Sequence, residues 1–375
     1  MDPKSWAGLL KFLTFPKEQK KICVYAEDRY DWKHLGPLVE ELTARGQTLC
    51  YVTSDLQDPI FKKQKQNLSS LYIGSGTART VFFSSLNVGQ IIMTMPDLQS
   101  FHIKRSRCPV RYIYVFHSIV STHMIYREQA FDAYDTVFCV GPHHVHEIRQ
   151  REKLFNLKQK ELIEFGYSYL DELLKNSSPS FSKENNPTVL VAPSWGPSSI
   201  TAVCLEEVLD LLVEHGYKTI FRPHPMSIRT ENSQLRNAQN KFEKNEQVHF
   251  DFEPSSKNSF DVANVLITEW SGSALEFSFA QEKPVMFIDL PRKVNNPEYE
   301  KLQIEPLEAI VREQLGSILN PKNLKSELLS ELALVTAKAA KSQQIREARS
   351  KWIFNAGQSA KIGVDHILQY KSSMR

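Results

Sequence analysis

The chain has 375 residues, of which 41% are hydrophobic and 24% charged, with a formal net charge of +3. That length is long for one hydrophobic core and suits two domains, and the composition is that of a globular protein. The small net charge, with acids and bases interspersed, excludes a duplex-DNA binder, so no nucleic-acid partner is expected.

The first predicted element is a short amphipathic helix. Trp6, Leu9, Leu10, Phe12, Leu13 and Phe15 stand against Lys4, Lys11, Lys17, Lys20 and Lys21. Such a helix either packs on its own domain or lies, through residues 4–21, as a peripheral contact on the inner face of a plasma membrane. Strands are predicted at Lys21–Ala26, Thr48–Thr53, Gln90–Thr94, Arg111–Phe116 and Thr136–Val140, with a helix over His34–Arg45 that stops at Gly46. Strands separated by helical stretches imply βαβ units and a parallel sheet. His143, His144 and His146 follow Gly141-Pro142 and read as the exposed start of a helix.

Asn176–Pro187 is polar, carries two prolines and lacks periodicity, so it reads as the linker. After it the alternation restarts. Strands are predicted at Thr188–Ala192, Lys218–Phe221, Val262–Thr268 and Pro284–Ile288, with helices over Ser199–His215 and, after the strand ending at Thr268, through Ala280. From Pro306 onward the pattern is helical. The expected domains are 1–175, the linker 176–187, 188–345, and a tail 346–375.

Five scattered cysteines, Cys23, Cys50, Cys108, Cys139 and Cys204, contain no CxxC pair. They argue against a zinc site or disulfide framework and for a reducing, cytoplasmic compartment. No run approaches the ~18 apolar residues of a membrane-spanning helix, and the N-terminus has no secretory signal. P-loop, HExxH and GxSxG motifs are absent, and Gly74-Ser75-Gly76 is only a fragment of a dinucleotide fingerprint. No residues are picked out as metal ligands and no cofactor is assigned, and a divalent-metal requirement stays open.

In open α/β sheets ligands bind beyond the carboxyl ends of the strands, so residues just after strands are the site candidates. His117 follows Arg111–Phe116 and has the chemistry of a general base. Arg222-Pro223-His224-Pro225 ends another strand. Its two prolines stiffen the backbone around His224, and a histidine beside an arginine suits a phosphate. Thr268-Glu269-Trp270-Ser271-Gly272-Ser273 runs from a strand into a helix, where amides and the helix dipole favour an anion. Ser273 and Glu276 also have the spacing of a capping box.

Several of these stretches, in order, resemble the CDP-glycerol glycerophosphotransferase family, which primes and polymerises teichoic acids and related capsule polymers. Val115-Phe116-His117-Ser118 looks like its Trp-His-Gly-Thr segment. Phe165-Gly166-Tyr167 with Leu170-Asp171 is similar to the segment closing its first domain. Arg222–Pro225 matches its His-Pro motif, Thr268–Ser273 its serine turn, and Phe354–Lys361 its C-terminal stretch. The resemblance covers about residue 110 to the end. It implies a GT-B architecture, with two Rossmann-like domains facing a cleft and C-terminal helices crossing back. It implies a CDP-activated polyol donor as substrate, a polymer or lipid-linked acceptor, His117 as base and His224 on phosphate. Arg222, Thr268, Glu269, Ser271, Gly272, Ser273, Ser359 and Lys361 would hold the donor.

The chain departs from that pattern at Ser118, Ser168, Tyr169, Glu269, Gly272 and Lys361. Two other readings therefore stay open. One is a nucleotide-sugar glycosyltransferase of the same fold, acting in capsule or lipopolysaccharide synthesis. The other is a non-catalytic GT-B scaffold.

Overall fold

The computed structural model describes residues 2–100, 103–176, 187–230, 233–253, 258–337 and 341–370. Apart from its two end residues, the expected linker 176–187 lies outside them. The chain forms two compact units. The first comprises Met1–Glu172, Asn295–Ile304 and Trp352–Arg375, and the second Leu173–Val294 and Glu305–Lys351.

The first unit is built on seven strands: β1 (Ile22–Ala26), β2 (Leu49–Thr53), β3 (Leu68–Tyr72), β4 (Gln90–Met93), β5 (Arg111–Val115), β6 (Thr136–Cys139) and β7 (Glu161–Glu164). All pair in parallel, in the order β3-β2-β1-β4-β5-β6-β7. β1 pairs Val24 with Tyr51 on one side and Tyr25 with Met93 on the other. Every residue of β1, β2, β4, β5 and β6 is buried. That is why these segments, apart from Gln90 and Arg111 at the strand starts, read as apolar, aromatic and β-branched runs, as expected when helices cover both faces of a parallel sheet. The helix Trp32–Ala44 lays Leu35, Leu38, Val39 and Leu42 on this sheet.

The second unit repeats the plan with β8 (Val189–Val191), β9 (Thr219–Phe221), β10 (Val248–Phe250), β11 (Val265–Thr268), β12 (Val285–Ile288) and β13 (Gly316–Leu319). These are parallel in the order β10-β9-β8-β11-β12-β13. Counted within each unit, both sheets contain the 3-2-1-4-5-6 order of Rossmann-like folds, the first with β7 added as a seventh strand, which places a topological switch point between the first and fourth strands. β1/β4 and β8/β11 are those points.

The tail helix Ser359–Gln369 belongs to the first unit, where Val364 and Ile367 enter the core with Leu38, Phe138 and Phe165. Asp171 holds its start, accepting hydrogen bonds from the amides of Gly357 and Ser359, both at 2.7 Å. Gly166 (φ +103°) passes so close that an added Cβ would lie 2.4 Å from the Phe354 carbonyl oxygen. Two stretches singled out in the sequence, Phe165–Asp171 and Phe354–Lys361, are thus packed on each other.

The N-terminal helix Pro3–Thr14 buries Ser5, Leu9 and Phe12 in its own unit, with Phe12 edge-on to Phe82 at 4.9 Å. Leu10 and Leu13 remain 61% and 46% exposed. Among the described residues no helix is long and apolar enough to cross a membrane.

Four sequence expectations are corrected. His143 and His144 are buried rather than at the surface: their Nε2 atoms bond the carbonyls of Ile119 (2.8 Å) and Val120 (2.9 Å), while His146 is exposed. The helix expected over Ser199–His215 breaks at Cys204, whose φ of −148° is not helical, into Ile200–Val203 and Leu205–Glu214. The C-terminal region is not wholly helical, because β13 extends the sheet beside β12. The cap of the helix Gly272–Gln281 is Ser271 rather than Ser273, its Oγ accepting from the Ser273 amide at 3.3 Å.

Candidate functional site

In the first unit, His117 stands just past the carboxyl end of β5 and is half-buried. Its Nδ1 lies 3.2 Å from the Thr94 carbonyl oxygen at the end of β4, and 3.3 Å from the Tyr114 hydroxyl. A carbonyl only accepts, so that bond puts the hydrogen on Nδ1 and leaves Nε2 as the basic nitrogen. Thr94 also turns its hydroxyl to Asp31 Oδ1 at 2.7 Å, so one residue links the carboxylate to the imidazole. Burial raises Asp31 to about 6, tempered by the Thr94 hydroxyl. Burial likewise lowers His117 to about 4; the Thr94 bond opposes this and nearby Lys33 adds to it. His34 and Tyr126 flank the ring, with centroids at 6.3 and 5.5 Å.

In the second unit, the loops after β8, β9, β11 and β12 emerge at the carboxyl ends of the parallel strands. β11 is clipped to the loop after β8 twice. Thr268 is fully buried and donates its hydroxyl to Ala192 O at 2.8 Å. The Ser194 amide donates to Glu269 Oε1 at 2.7 Å. Glu269 is 2% exposed, and its Oε2 is buried with no hydrogen-bond partner among the described residues. Burial pushes its carboxyl up to about 7, with the Ser194 bond and the charge of Lys293 pulling the other way.

Lys293, on the loop after β12, lies 4.4 Å from the centre of the Trp195 ring. Burial lowers it to about 8 against the attraction of Glu269. Trp195 in turn faces His224, with centroids 6.2 Å apart. His224 caps the turn that follows β9, accepting the Met226 amide on Nδ1 at 3.1 Å. Its hydrogen therefore sits on Nε2, which makes that atom a donor. The half-buried residues Ser271, Gly272 and Ser273 form the start of the ten-residue helix Gly272–Gln281, the positive end of its dipole.

The second unit thus gathers His224, Trp195, Lys293 and Glu269 around the β8/β11 switch point. Arg222, just past β9, is buried and engaged elsewhere: its Nε meets Asp251 Oδ2 at 3.3 Å, and its guanidinium carbon lies 4.8 Å from the Phe260 ring centre. Ser359 and Lys361 belong to the first unit. Ser359 is fully buried and Lys361 is exposed. Trp195, Lys293, Thr94 and Asp31 were not picked out in the sequence. Trp195 and Lys293 lie on the loops after β8 and β12, so the strand-end rule applied to every strand would have found them, whereas Thr94 falls inside the predicted strand Gln90–Thr94 and follows β4 only because that strand ends at Met93. Among the described residues no three His, Cys, Asp or Glu gather in a way that could hold a metal ion.

No protein-family model matches the chain, and no curated protein matches it in sequence. Solved structures do match. The chain is similar to the wall teichoic acid polymerase TagF in a form soaked with CDPG, at 14% identity and a TM-score of 0.59, over 98% of this chain and 93% of that one. It is similar to UDP-GlcNAc 2-epimerase from Neisseria meningitidis bound to UDP-GlcNAc, at 13% identity and a TM-score of 0.60, over 93% and 100%. The Methanocaldococcus jannaschii epimerase, in complex with UDP-GlcNAc and UDP, matches at 12% identity and a TM-score of 0.59, over 93% and 99%. At these identities the likeness shows the fold: two parallel-sheet units of the GT-B kind, with a tail helix that returns to the first.

Proposed function

We propose that the chain is a transferase that moves glycerol phosphate, or a similar phospho-polyol, from a CDP-activated donor to a hydroxyl acceptor. The acceptor is polymer or lipid-linked, and the product enters cell-surface polymer synthesis. The observation that carries this reading is the His224–Trp195–Lys293–Glu269 cluster beside the Ser271-capped helix start. It combines a fixed N–H donor, a cation and a helix dipole at a switch point. The likeness to a polymerase studied with CDPG supports the donor class.

In this reading the second unit holds the pyrophosphate through His224 Nε2–H, the helix start at Ser271–Ser273 and Lys293. Arg222 adds positive field from behind. Thr268 and Glu269 fix the loop, and Ser359 serves as scaffold because its hydroxyl is buried. Lys361 is the tail's candidate phosphate contact. His117 Nε2 takes the acceptor hydroxyl's proton, the oxygen attacks the β-phosphorus, the phosphoanhydride bond breaks, and CMP leaves. Positioning and charge stabilisation supply most of the acceleration.

The matching likeness to nucleotide-sugar epimerases favours a second reading, a glycosyltransferase using a nucleotide sugar. Melting curves with CDP-glycerol, CDP-ribitol, UDP-GlcNAc and CMP separate the two. A cytidine ligand at one hundred times its Kd should stabilise the protein by about 2.7 kcal/mol. His224→Gln should weaken that ligand's affinity roughly 10- to 100-fold, the loss of a hydrogen bond to a charged group. A response to UDP-GlcNAc alone would transfer support to the glycosyltransferase. A folded protein that responds to none of the four would point to the non-catalytic scaffold.

A peripheral membrane contact completes the proposal. Exposed Leu10 and Leu13 sit among exposed Lys4, Lys11 and Lys17, a pattern that suits an anionic bilayer surface. Wild type should co-sediment with phosphatidylglycerol-containing vesicles at low salt, and the double variant Leu10→Glu, Leu13→Glu should not. Equal sedimentation of the two proteins would rule this contact out.

A further inference from the structure

The second unit carries another feature, on the β12–β13 side of its sheet. An open groove of about 560 Å³ is lined by Trp270, Asp289, Arg292, Glu305 and Arg312 together with apolar neighbours. Arg312 opens the short helix Arg312–Leu315 and is only 4% exposed. Its Nη1 donates to Asp289 Oδ1 at 2.7 Å, but that carboxylate's side chain is 55% exposed. Nε and Nη2 are buried with no hydrogen-bond partner among the described residues. The guanidinium carbon lies 4.3 Å from the Trp270 ring centre and 5.1 Å from that of Phe287. Arg292 approaches the same indole at 5.6 Å and bonds Glu305 at 2.5 Å.

A guanidinium has five N–H donors and no acceptor. Aromatic faces attract its charge but offer no oxygen lone pairs to its N–H groups. Burial accordingly lowers the proton affinity of Arg312, with the bond to Asp289 acting against it. A native interior rarely leaves such donors unanswered, and two donors of Arg312 left without a partner beside an open groove invite an acceptor from outside. Asp289 and Glu305 are each more than half exposed and free to turn toward solvent as an anion enters.

We propose that this groove is a binding site for an oxyanion, a phosphate or a carboxylate, held by Arg312 from within and by Arg292 at the rim. The planar fork of arginine matches the oxygens of either group. The site shares no residue with the His224 cluster, and its existence does not depend on the transfer reading.

The test follows the Arg312 Nε–H signal in spectra of the 15N-labelled full chain. That signal is identified by its cross-peaks to the Trp270 and Phe287 rings, so no variant of Arg312 needs to fold. Inorganic phosphate and malonate are titrated separately, with ionic strength held constant by NaCl; the probe that binds tells phosphate from carboxylate. A saturable shift is expected with at least one. Arg292→Ala, at the exposed rim, should raise its Kd about tenfold, and His224→Gln should leave it unchanged. No saturable shift with either probe, or the same shift with NaCl alone, would overturn the proposal. So would a shift that Arg292→Ala leaves intact or that His224→Gln abolishes.

Discussion

Replacing His117 with alanine lowers the proposed transfer rate by about 10²- to 10⁴-fold, the usual worth of a positioned general base. The affinity of the second unit for the nucleotide stays as in the parent. Single-turnover release of CMP and nucleotide melting shifts measure the two quantities separately. The ring is oriented before any ligand arrives, because Nδ1–H is committed to Thr94 O and Tyr126 stands edge-on to it. The backbone is fixed as well, since the Tyr167 hydroxyl donates to the His117 carbonyl at 3.0 Å. An alanine there loses the basic nitrogen without removing a core side chain. Near-normal release of CMP by the variant would sink the mechanism.

The pH dependence follows from the same burial. His117 is lowered from 6.5 to about 4, so it gives up its proton more readily in the folded chain than in the unfolded one. Its contribution to stability is complete above pH 6.5 and is lost as the pH falls from there toward 4. Across the neutral range the imidazole is uncharged and ready to accept a proton. The rate profile should therefore lack the acid limb that an ordinary histidine places near 6.5. A rate that halves on acidification to about that value would indicate another base.

The central strands of both sheets were legible in the sequence, and the four edge strands were not. β3 and β7 bound the first sheet, and β10 and β13 the second. β7 has no buried residue, and β3, β10 and β13 are only partly buried. A strand covered on both faces is mostly apolar, whereas an edge strand carries polar residues such as Ser69, Ser70, Glu161, Glu164, His249 and Ser317. β13 is further disguised by Gly316, whose α-carbon lies so near Val285 that an added Cβ would overlap its carbonyl oxygen.

At the candidate site, His117, His224 and the serine turn announced themselves by following well-formed strands. Trp195 and Lys293 follow strands too, but a tryptophan and a lysine resemble ordinary loop residues until the fold stacks one on the other. The buried state of His143 and His144 was hidden for a related reason. Their partners are backbone carbonyls of Ile119 and Val120, 24 residues away in each case, and such bonds leave no mark in composition or periodicity.

Glu269→Gln should flatten the pH dependence of stability and tighten donor binding under alkaline conditions. The Glu269 carboxyl rises from 4.5 to about 7 because it is buried, despite the Ser194 amide and Lys293. An acid with a raised folded-state value stabilises the fold fully below 4.5 and loses that contribution as the pH climbs to 7. The gap amounts to about 3 kcal/mol, since each unit is worth about 1.4. Glutamine keeps a carbonyl for the Ser194 amide and cannot ionise. The variant should match the parent at about pH 4 and exceed it by about 3 kcal/mol above about pH 8 in urea unfolding. Ionised Glu269 also places a negative charge next to the proposed pyrophosphate site. Donor binding should then be accompanied by proton uptake and weaken as the pH rises through 7. In the glutamine variant both the uptake and the weakening disappear, which calorimetry in two buffers of different ionisation heat would detect. Unchanged proton uptake in the variant would place the titrating group elsewhere and separate Glu269 from donor binding.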